Sequence, residues 1–482
     1  MTFARVTEFD QANHWCFDMS TSLGQMMQFG NNLTASRQTA PRQTRDVWSN
    51  CGPLLTLTLT FFVIAITTKS LSADDQVWDV AVVFQDDTCP IEQTADDPIA
   101  RRTVLDASKQ LDSRRLKLPA KLSGGNIHDL PPHFNNLPEE YRAIADSAKV
   151  GDAAARLGLV LFYDRSLSGS GQVACASCHR QQFAFSDVRR FSVGHDGRKT
   201  SRQSMSLINL RYSLNQSFFW DERAAGLRQQ VLIPIENDVE MGHSLKDLVV
   251  QLQADPIYPP LFAAAFGSAE VNQHRMASAL SQFVLSIVSY RSAYDVGMAQ
   301  VDSVLDDFPN FTDQQNLGKR QFFESGCASC HLSEGRTAGH DVSAETPDFD
   351  RNRPVFQTAI FQIEKAVVNG IDSDDSKNDA GVGAVTNVAA DVGAFRSPSL
   401  RNVEVTGPYM HDGRFKTLDR VVEHYNWSVQ PHPNLDRRLH FAVEGMAIPE
   451  LQKVALVEFL KTLTDHALLN DPSFADPFVR LE

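Results

Sequence analysis

The pentapeptide Cys-Ala-Ser-Cys-His occurs twice in this chain, at residues 175–179 and again at residues 327–331. Two cysteines separated by two residues and followed directly by histidine form the attachment signature of c-type haem. A structural zinc site is the alternative, but zinc-binding cysteine pairs usually lie closer together and rarely carry this histidine. The repeat therefore predicts two covalently attached haems, bound through Cys175, Cys178, His179, Cys327, Cys330 and His331.

The length and the residue pattern indicate more than one helical domain. A chain of 482 residues favours two or three domains. Apolar residues recur at helical spacing over residues 153–162 and 278–294, and Thr312 begins a capping box whose helix runs into the second pentapeptide. Thr417 caps a further helix that turns Tyr425 inward, and a last helix starts at Pro449. The predicted fold is mainly α, with two cytochrome c-type haem domains and an extended N-terminal segment.

Changes in composition suggest where these domains begin and end. Residues 335–392 lack a sustained period and are rich in Asp, Gly, Asn and Ala, so they are expected to form a long insertion or loop. The predicted order is an N-terminal extension (1–73), an extended N-terminal segment (74–145), the first cytochrome c domain (146–300), the second cytochrome c domain (301–466) and a C-terminal tail (467–482).

The strongest apolar run, residues 53–66, carries no charge but is shorter than the roughly 20 residues of a membrane span. Arg42 and Arg45 precede the run and small residues follow it, which is the layout of a secretory signal peptide. An uncleaved anchor is the alternative. The long segment before this run has two explanations that serve equally well: a translation start at Met26 or Met27, or a cytoplasmic extension of the chain. Both interpretations place the rest of the chain in the periplasm, where bacterial c-type haem is attached.

Two haems support two classes of function, an electron carrier or an enzyme. The axial ligands and the polar groups above each iron decide between them. Cleavage of a peroxide O–O bond needs a proton moved between the two oxygens, which a carboxylate can do. The net charge of −14 argues against a nucleic-acid partner and favours basic redox partners.

Five further motifs give the chain a family resemblance. They are FWDER at 219–223, PIENDVEMG at 234–242, FRSPSLRN at 395–402, GPYMHDG at 407–413, and the second CASCH itself. With the first CASCH they follow one another in the order seen in the bacterial di-haem cytochrome c peroxidases, and the chain resembles the MauG-like branch of that family over roughly residues 150–465.

The resemblance implies roles around the first haem. Glu240 matches the catalytic acid/base, Gln230 a polar residue beside it, and Pro234 a residue that shapes the same site. Trp220 matches the aromatic ring between the two haems. His195 lies near the position where classical members carry a second ligand to the first haem, and a solvent-exposed loop histidine is the alternative.

The resemblance also implies a ligand set for the second haem. Tyr425 stands where classical peroxidases have Met and MauG has Tyr. Periodicity alone makes Tyr425 a core residue, and the resemblance makes it the axial ligand. Met410 and Met446 are rival ligands, because a thioether is the usual partner of an electron-transfer haem. Arg396 and His411 match positions close to this haem.

A calcium ion lies between the haems in the family. Thr406 and Pro408 match the residues whose backbone carbonyls bind it. The side-chain ligand is normally Asn, whereas this chain has Gln203. Oxygen donors suit calcium, so we expect the site to be retained.

The function that these residues predict is a peroxidase that reduces hydrogen peroxide at the first haem. Oxidising equivalents would be shared with the second haem, or electrons supplied through it. The reductant would be a small cytochrome or cupredoxin. The alternatives are MauG-like oxidation of a protein substrate and a di-haem electron carrier without catalysis.

Overall fold

The computed structural model describes residues 114–122, 130–135, 137–148, 150–332, 359–362, 365–373 and 379–480. The predicted signal sequence and most of the predicted 335–392 insertion lie outside these residues. None of the helices in the described ranges is both long and apolar enough to cross a bilayer.

The described part of the chain is mainly helical, as predicted. Up to residue 300 its α-helices are Pro132–Asn135, Glu139–Ser147, Asp152–Tyr163, Cys175–Cys178, Leu227–Gln230, Ile233–Glu236, Leu245–Ala254, Tyr258–Phe266, Gln273–Leu285 and Ala293–Met298. Beyond it they are Asp313–Glu324, Ala328–His331, Gly383–Thr386, Leu418–Glu423, Glu450–Lys461 and His466–Leu469. The π-helix His424–Ser428 continues directly from Leu418–Glu423.

Short 3₁₀ turns and one small sheet complete the secondary structure of these residues. The 3₁₀ segments are Arg165–Leu167, Gln181–Phe183, Leu210–Tyr212, Ala389–Asp391, Val403–Val405, Arg437–Val443 and Pro472–Phe474. The strands Arg114–Leu116 and Phe478–Arg480 pair antiparallel, so the two ends of the described chain meet in one ladder.

The same helix packing occurs in each half of the chain. Asp152–Tyr163, which precedes the first pentapeptide, crosses Gln273–Leu285. Asp313–Glu324, which precedes the second, crosses Glu450–Lys461. Gly158 and Gly318 lie at the two crossings, where a Cβ would meet the carbonyl oxygen of Ala279 or Ala455. Only a residue without a side chain permits this close backbone approach.

Two separate apolar cores match this pattern. The first contains Leu157, Leu161, Phe162, Phe185, Phe262 and Phe283, and the second contains Phe322, Phe323, Leu418, Val422, Phe459 and Leu460. In each half of the chain, the core forms between the helix that precedes the pentapeptide and the last long helix of that half.

The predicted capping residues are confirmed, but one predicted helix is wrong in its extent. The Thr312 and Thr417 side chains accept hydrogen bonds from the N–H groups of Gln315 and Arg420. The helix predicted at 278–294 instead starts at Gln273 and ends at Leu285.

The helix does not continue to residue 294, because distant side chains capture the N–H groups of residues 289–291. Asn209 Oδ1 accepts from Ser289 N at 2.8 Å, and an Asp465 carboxylate oxygen accepts from Tyr290 N and Arg291 N, both at 2.9 Å. These groups are therefore unavailable to a helix.

The end of the predicted extended N-terminal segment contains helices. Pro132–Asn135 and Glu139–Ser147 pack Phe134, Leu137 and Tyr141 against Tyr212, Val288 and Ile360. His133 Nε2 donates to Asp295 at 2.8 Å. Arg401, which is fully buried, binds the same carboxylate at 2.7 and 2.8 Å. One carboxylate thus joins three distant parts of the chain.

Candidate haem and peroxide site

The first pentapeptide forms a short helix that presents a neutral histidine. The His179 N–H continues the helix by donating to Cys175 O at 2.9 Å. The imidazole Nδ1 of His179 donates to the carbonyl of Phe185 at 2.8 Å, which leaves Nε2 as the nitrogen with a free lone pair. Burial lowers the pKa of His179, with the Phe185 hydrogen bond partly opposing it. A neutral imidazole oriented through Nδ1 is the form that binds iron.

Glu240 lies close to this helix. Its carboxylate is near enough to both thiols that its charge raises the pKa of Cys175 and of Cys178, although burial is the larger cause for each. Burial also raises the pKa of Glu240 itself, and the Arg223 guanidinium partly counteracts the rise. The structure therefore places a half-buried carboxyl, with an increased affinity for protons, beside the first haem-attachment helix.

A tight turn positions Glu240. Asn237 Oδ1 accepts from the N–H groups of Val239 at 2.9 Å and Glu240 at 3.1 Å. The Pro234 carbonyl accepts from Met241 N at 3.2 Å, which holds Pro234 against the same turn. Gln230 is half-buried at the end of the preceding helix, Leu227–Gln230.

His195 lies against this turn. Its N–H donates to Glu240 O at 2.9 Å, and its ring Nε2 donates to Asp238 O at 3.1 Å. The ring covers Gly242, where a Cβ would collide with the imidazole. In this arrangement the imidazole is hydrogen-bonded to protein, and its assignment as a haem ligand stays a prediction.

Trp220 is buried between the two halves of the chain. Its indole Nε1 donates to Gln203 O at 2.8 Å, and its carbonyl accepts from Arg396 N at 2.9 Å. The indole meets His411 edge-on with ring centres 6.5 Å apart. His411 in turn stacks on Phe395 at 3.7 Å. The aromatic contacts that begin at Trp220 therefore continue into the second half of the chain.

The residues predicted for calcium lie next to this aromatic group. Gln203 N donates to His411 O at 2.8 Å, which joins Gln203 to the loop that carries Thr406 and Pro408. The Gln203 side-chain nitrogen donates to Asp187 O at 3.0 Å, which leaves the amide oxygen as the acceptor end. No group of three or more His, Cys, Asp or Glu suited to a metal occurs among the described residues, and a site of carbonyl and amide oxygens needs none.

The second pentapeptide also holds its histidine in a buried setting. Burial lowers the pKa of His331 to about 4, with Arg438 adding to the effect. Its Nδ1 is buried, and it has no hydrogen-bond partner among the described residues. Arg438 donates to Ser329 O at 2.6 Å and so closes over this helix. A neutral imidazole is again available to bind iron.

Tyr425 faces this second helix from a π-helical turn. Burial raises the pKa of its hydroxyl well above the usual range, and the nearby Cys330 and Cys327 thiols contribute in the same direction. The sequence predicted a continuous α-helix here, but His424–Ser428 is a π-helix, a form that is frequent at functional sites. Asn426 holds the wider turn with two hydrogen bonds. Its carbonyl accepts from Met446 N and its side-chain oxygen accepts from Ile448 N, both at 2.8 Å.

Both rival ligands lie near Tyr425. Met446 packs beside Tyr425 against Val429, Leu435 and Ala442. Met410 lies beside Asn369, whose amide nitrogen is 3.5 Å from Met410 Sδ and whose carbonyl accepts from the ring of His424, the residue before Tyr425. The three predicted ligand candidates for the second haem are therefore neighbours in the structure.

Sequence reasoning missed two residues of these sites. Asp187 is fully buried beside Cys178 and His179, where Arg189 Nε donates to both of its carboxylate oxygens at 3.1 Å. Asn369 comes from the predicted insertion, which carries no periodic signal. Neither residue belongs to a recognisable motif, so only the fold reveals them.

The residues at both helices fit covalently bound haem. Each helix presents two cysteines and a histidine kept neutral by burial. Facing them are a carboxyl group at the first helix and a phenol at the second. The two sites are therefore chemically unequal.

Comparison with known proteins shows what this chain is similar to. The family model for di-haem cytochrome c peroxidase matches residues 152–303. A methylamine utilization protein MauG of Methylorubrum extorquens is 32% identical over 64% of this chain and 77% of its own length. A cytochrome c551 peroxidase of Nitrosomonas europaea is 31% identical over 67% of this chain and 83% of its own.

A solved structure extends the agreement to the fold. The crystal structure of a MauG-like protein associated with microbial copper homeostasis superposes with a TM-score of 0.55 at 29% identity, covering 69% of this chain and 95% of that one. The matched relatives lead to one conclusion. This chain belongs to the di-haem cytochrome c peroxidase family, oxidoreductases that carry two c-type haems and act on peroxide.

Proposed function

We propose that this chain reduces hydrogen peroxide at the haem held by Cys175, Cys178 and His179, with Glu240 as the acid/base. The observation that carries the proposal is the half-buried Glu240 carboxyl beside the first attachment helix, with its raised pKa. Overall, one peroxide, two electrons and two protons give two waters. When bound, the haem supplies the redox chemistry of O–O cleavage.

The protein contributes proton transfer and positioning. As a carboxylate, Glu240 accepts the proton from the inner peroxide oxygen and then delivers it to the outer one, so that the outer oxygen leaves as water. Gln230 orients the peroxide by hydrogen bonding, and Pro234 limits the space above the haem. His195 would act as a removable ligand only if its loop left the Glu240 turn, to which two hydrogen bonds now hold it.

The second haem would be bound by Cys327, Cys330 and His331, and Tyr425 would be a further ligand to its iron. A phenolate is anionic and stabilises oxidised iron, whereas a thioether raises the reduction potential. Trp220 would carry electrons between the haems. This assignment makes residues 146–300 and 301–466 two cytochrome c domains, each with its own haem.

Calcium would stiffen the contact between these domains. Its ligands would be the carbonyl oxygens of Thr406 and Pro408 and the side-chain oxygen of Gln203. The Gln203 amide orientation supports this, because its nitrogen is already committed to Asp187. Loss of the haem–haem interaction on treatment with a calcium chelator, restored by added calcium, would support the site, and an unchanged spectrum would argue against it.

The reductant would be a small cytochrome or cupredoxin in the periplasm. A second candidate is oxidation of a protein side chain at a distance, as in MauG. The buried Tyr425 beside the second attachment helix favours this candidate, because a phenolate suits shared oxidation better than electron delivery.

The decisive experiment is EPR and optical spectroscopy of the oxidised holoprotein before and after addition of peroxide. One high-spin and one low-spin haem, with rapid spectral change on peroxide addition, are expected. Two low-spin haems that ignore peroxide, even after partial reduction, would instead indicate an electron carrier. The Glu236→Gln variant, with an exposed carboxyl four residues before Glu240, controls for the loss of charge in Glu240→Gln.

A further inference from the structure

Asn369 lies on a short segment that is tied to the π-helical turn of Tyr425. The Asn369 carbonyl accepts from His424 Nε2 at 3.1 Å. The carbonyls on either side, of Val368 and Gly370, accept from Asp436 N at 3.1 Å and Gln430 N at 2.7 Å. The backbone on both sides of Asn369 is therefore held in place through three successive carbonyls.

The hydrogen bonds fix which end of the Asn369 amide faces the site. Ile371 N donates to Asn369 Oδ1 at 3.3 Å, so this oxygen points back to its own segment. The amide nitrogen consequently faces outward, 3.5 Å from Met410 Sδ. Tyr425 directly follows His424, whose ring nitrogen donates to the Asn369 carbonyl. The NH₂ group thus contacts Met410, a rival of Tyr425 for the iron.

Met410 is constrained by its backbone as well. It has a φ of +73°, a left-handed conformation that is unusual for a residue other than glycine. Its carbonyl accepts from Gly413 N at 3.1 Å, which closes the turn. A backbone in this region persists only when the surroundings hold it there, so the turn holds the Met410 side chain close to Asn369.

We propose that Asn369 selects the ligand of the second haem iron, by donating to the Met410 thioether and so keeping that sulfur from the iron that Tyr425 would bind. A thioether is only a weak acceptor, and an N–H directed at its sulfur competes with the metal for the same lone pairs. The inference rests on the assignment of Tyr425 in the proposed function.

The test compares four variants of the oxidised and reduced holoprotein: Tyr425→Phe, Asn369→Leu, the two combined, and the combination with Met410→Leu. The readouts are the thioether-to-iron charge-transfer band, the low-spin EPR signal and the reduction potential of the second haem. We expect Tyr425→Phe to lose the phenolate signature without gaining a thioether band. The double variant should gain that band and a higher potential, and Met410→Leu should abolish both.

Two outcomes separate the possible failures. An unchanged second-haem spectrum in Tyr425→Phe would overturn the ligand assignment in the proposed function, and this inference with it. A changed spectrum in Tyr425→Phe, with the double variant identical to that single variant, would overturn the role of Asn369 alone. Asn369→Asp provides a second route, because its carboxylate can still accept from Ile371 N but cannot donate to Met410. It should act in the same direction as Asn369→Leu.

Discussion

The indole Nε1 of Trp220 donates a hydrogen bond to the main-chain carbonyl of Gln203 at 2.8 Å. The Gln203 side chain is the predicted calcium ligand. The backbone N–H of Gln203 donates to the carbonyl of His411, whose ring meets the indole edge-on. The ring proposed to carry electrons is therefore held by the same residue that would bind calcium. Disturbing either group should affect the other.

Replacing Trp220 by Phe should slow electron transfer between the haems and leave their separate absorption spectra unchanged. Loss of the indole N–H leaves the buried Gln203 carbonyl without this donor, which should also cost about 1–3 kcal/mol of stability. Stopped-flow mixing of the half-reduced holoprotein with peroxide measures the transfer. Trp427→Phe is the matched control, because Trp427 is 55% exposed. Equal rates in both variants would contradict the role of Trp220.

Replacing Glu240 by Gln should decrease the rate of reaction with peroxide by about 10²–10⁴, the usual contribution of a positioned acid/base. Glu240 must be deprotonated to accept the proton, and burial raises its pKa above the ordinary glutamate value of about 4.3. The wild-type rate should therefore increase as the pH rises through that raised pKa. This pH dependence should be absent in Glu240→Gln. If the variant kept the same pH dependence, the titrating group would be a residue other than Glu240.

Replacing Asp295 by Asn should destabilise the protein by about 3–5 kcal/mol, because it leaves the buried Arg401 guanidinium without its carboxylate. Burial would raise the pKa of Asp295, but Arg401 and His133 outweigh it and hold the pKa below its ordinary value. The stabilisation is thus present above the unfolded-state pKa of about 3.9 and is lost as the pH falls through the lower, folded-state value. Denaturant unfolding across this acid range measures the loss.

The exposed Asp302 provides the control for that experiment. Asp302→Asn should change the free energy of unfolding by less than about 0.5 kcal/mol. Comparable losses in the two variants would show that the Asp295–Arg401 pair contributes no more than an exposed charge.

Replacing Tyr425 by Met should increase the reduction potential of the second haem, because a thioether stabilises reduced iron. Redox titration followed optically measures the potential. The first haem should keep its potential, since Tyr425 lies at the second attachment helix. A potential that does not move would show that residue 425 is not an axial ligand.

Local sequence was sufficient wherever the chemistry is carried by neighbouring residues. The haem-attachment residues could be predicted from the sequence, because their spacing is a property of a single helical turn. The caps at Thr312 and Thr417 were predictable for the same reason. The absence of a helix as far as residue 294 was not predictable, because Asn209 and Asp465, which capture the N–H groups of residues 289–291, lie far away in the sequence.

By itself the sequence determined that this protein carries two haems on mainly helical supports, since motif spacing and helical period are local properties. The tertiary structure decided what surrounds each haem-attachment helix. It brought the Glu240 carboxyl to the first helix and placed Tyr425, Met410 and Asn369 together at the second. Those contacts depend on burial and on hydrogen bonds between segments far apart in the chain, and no local pattern encodes them.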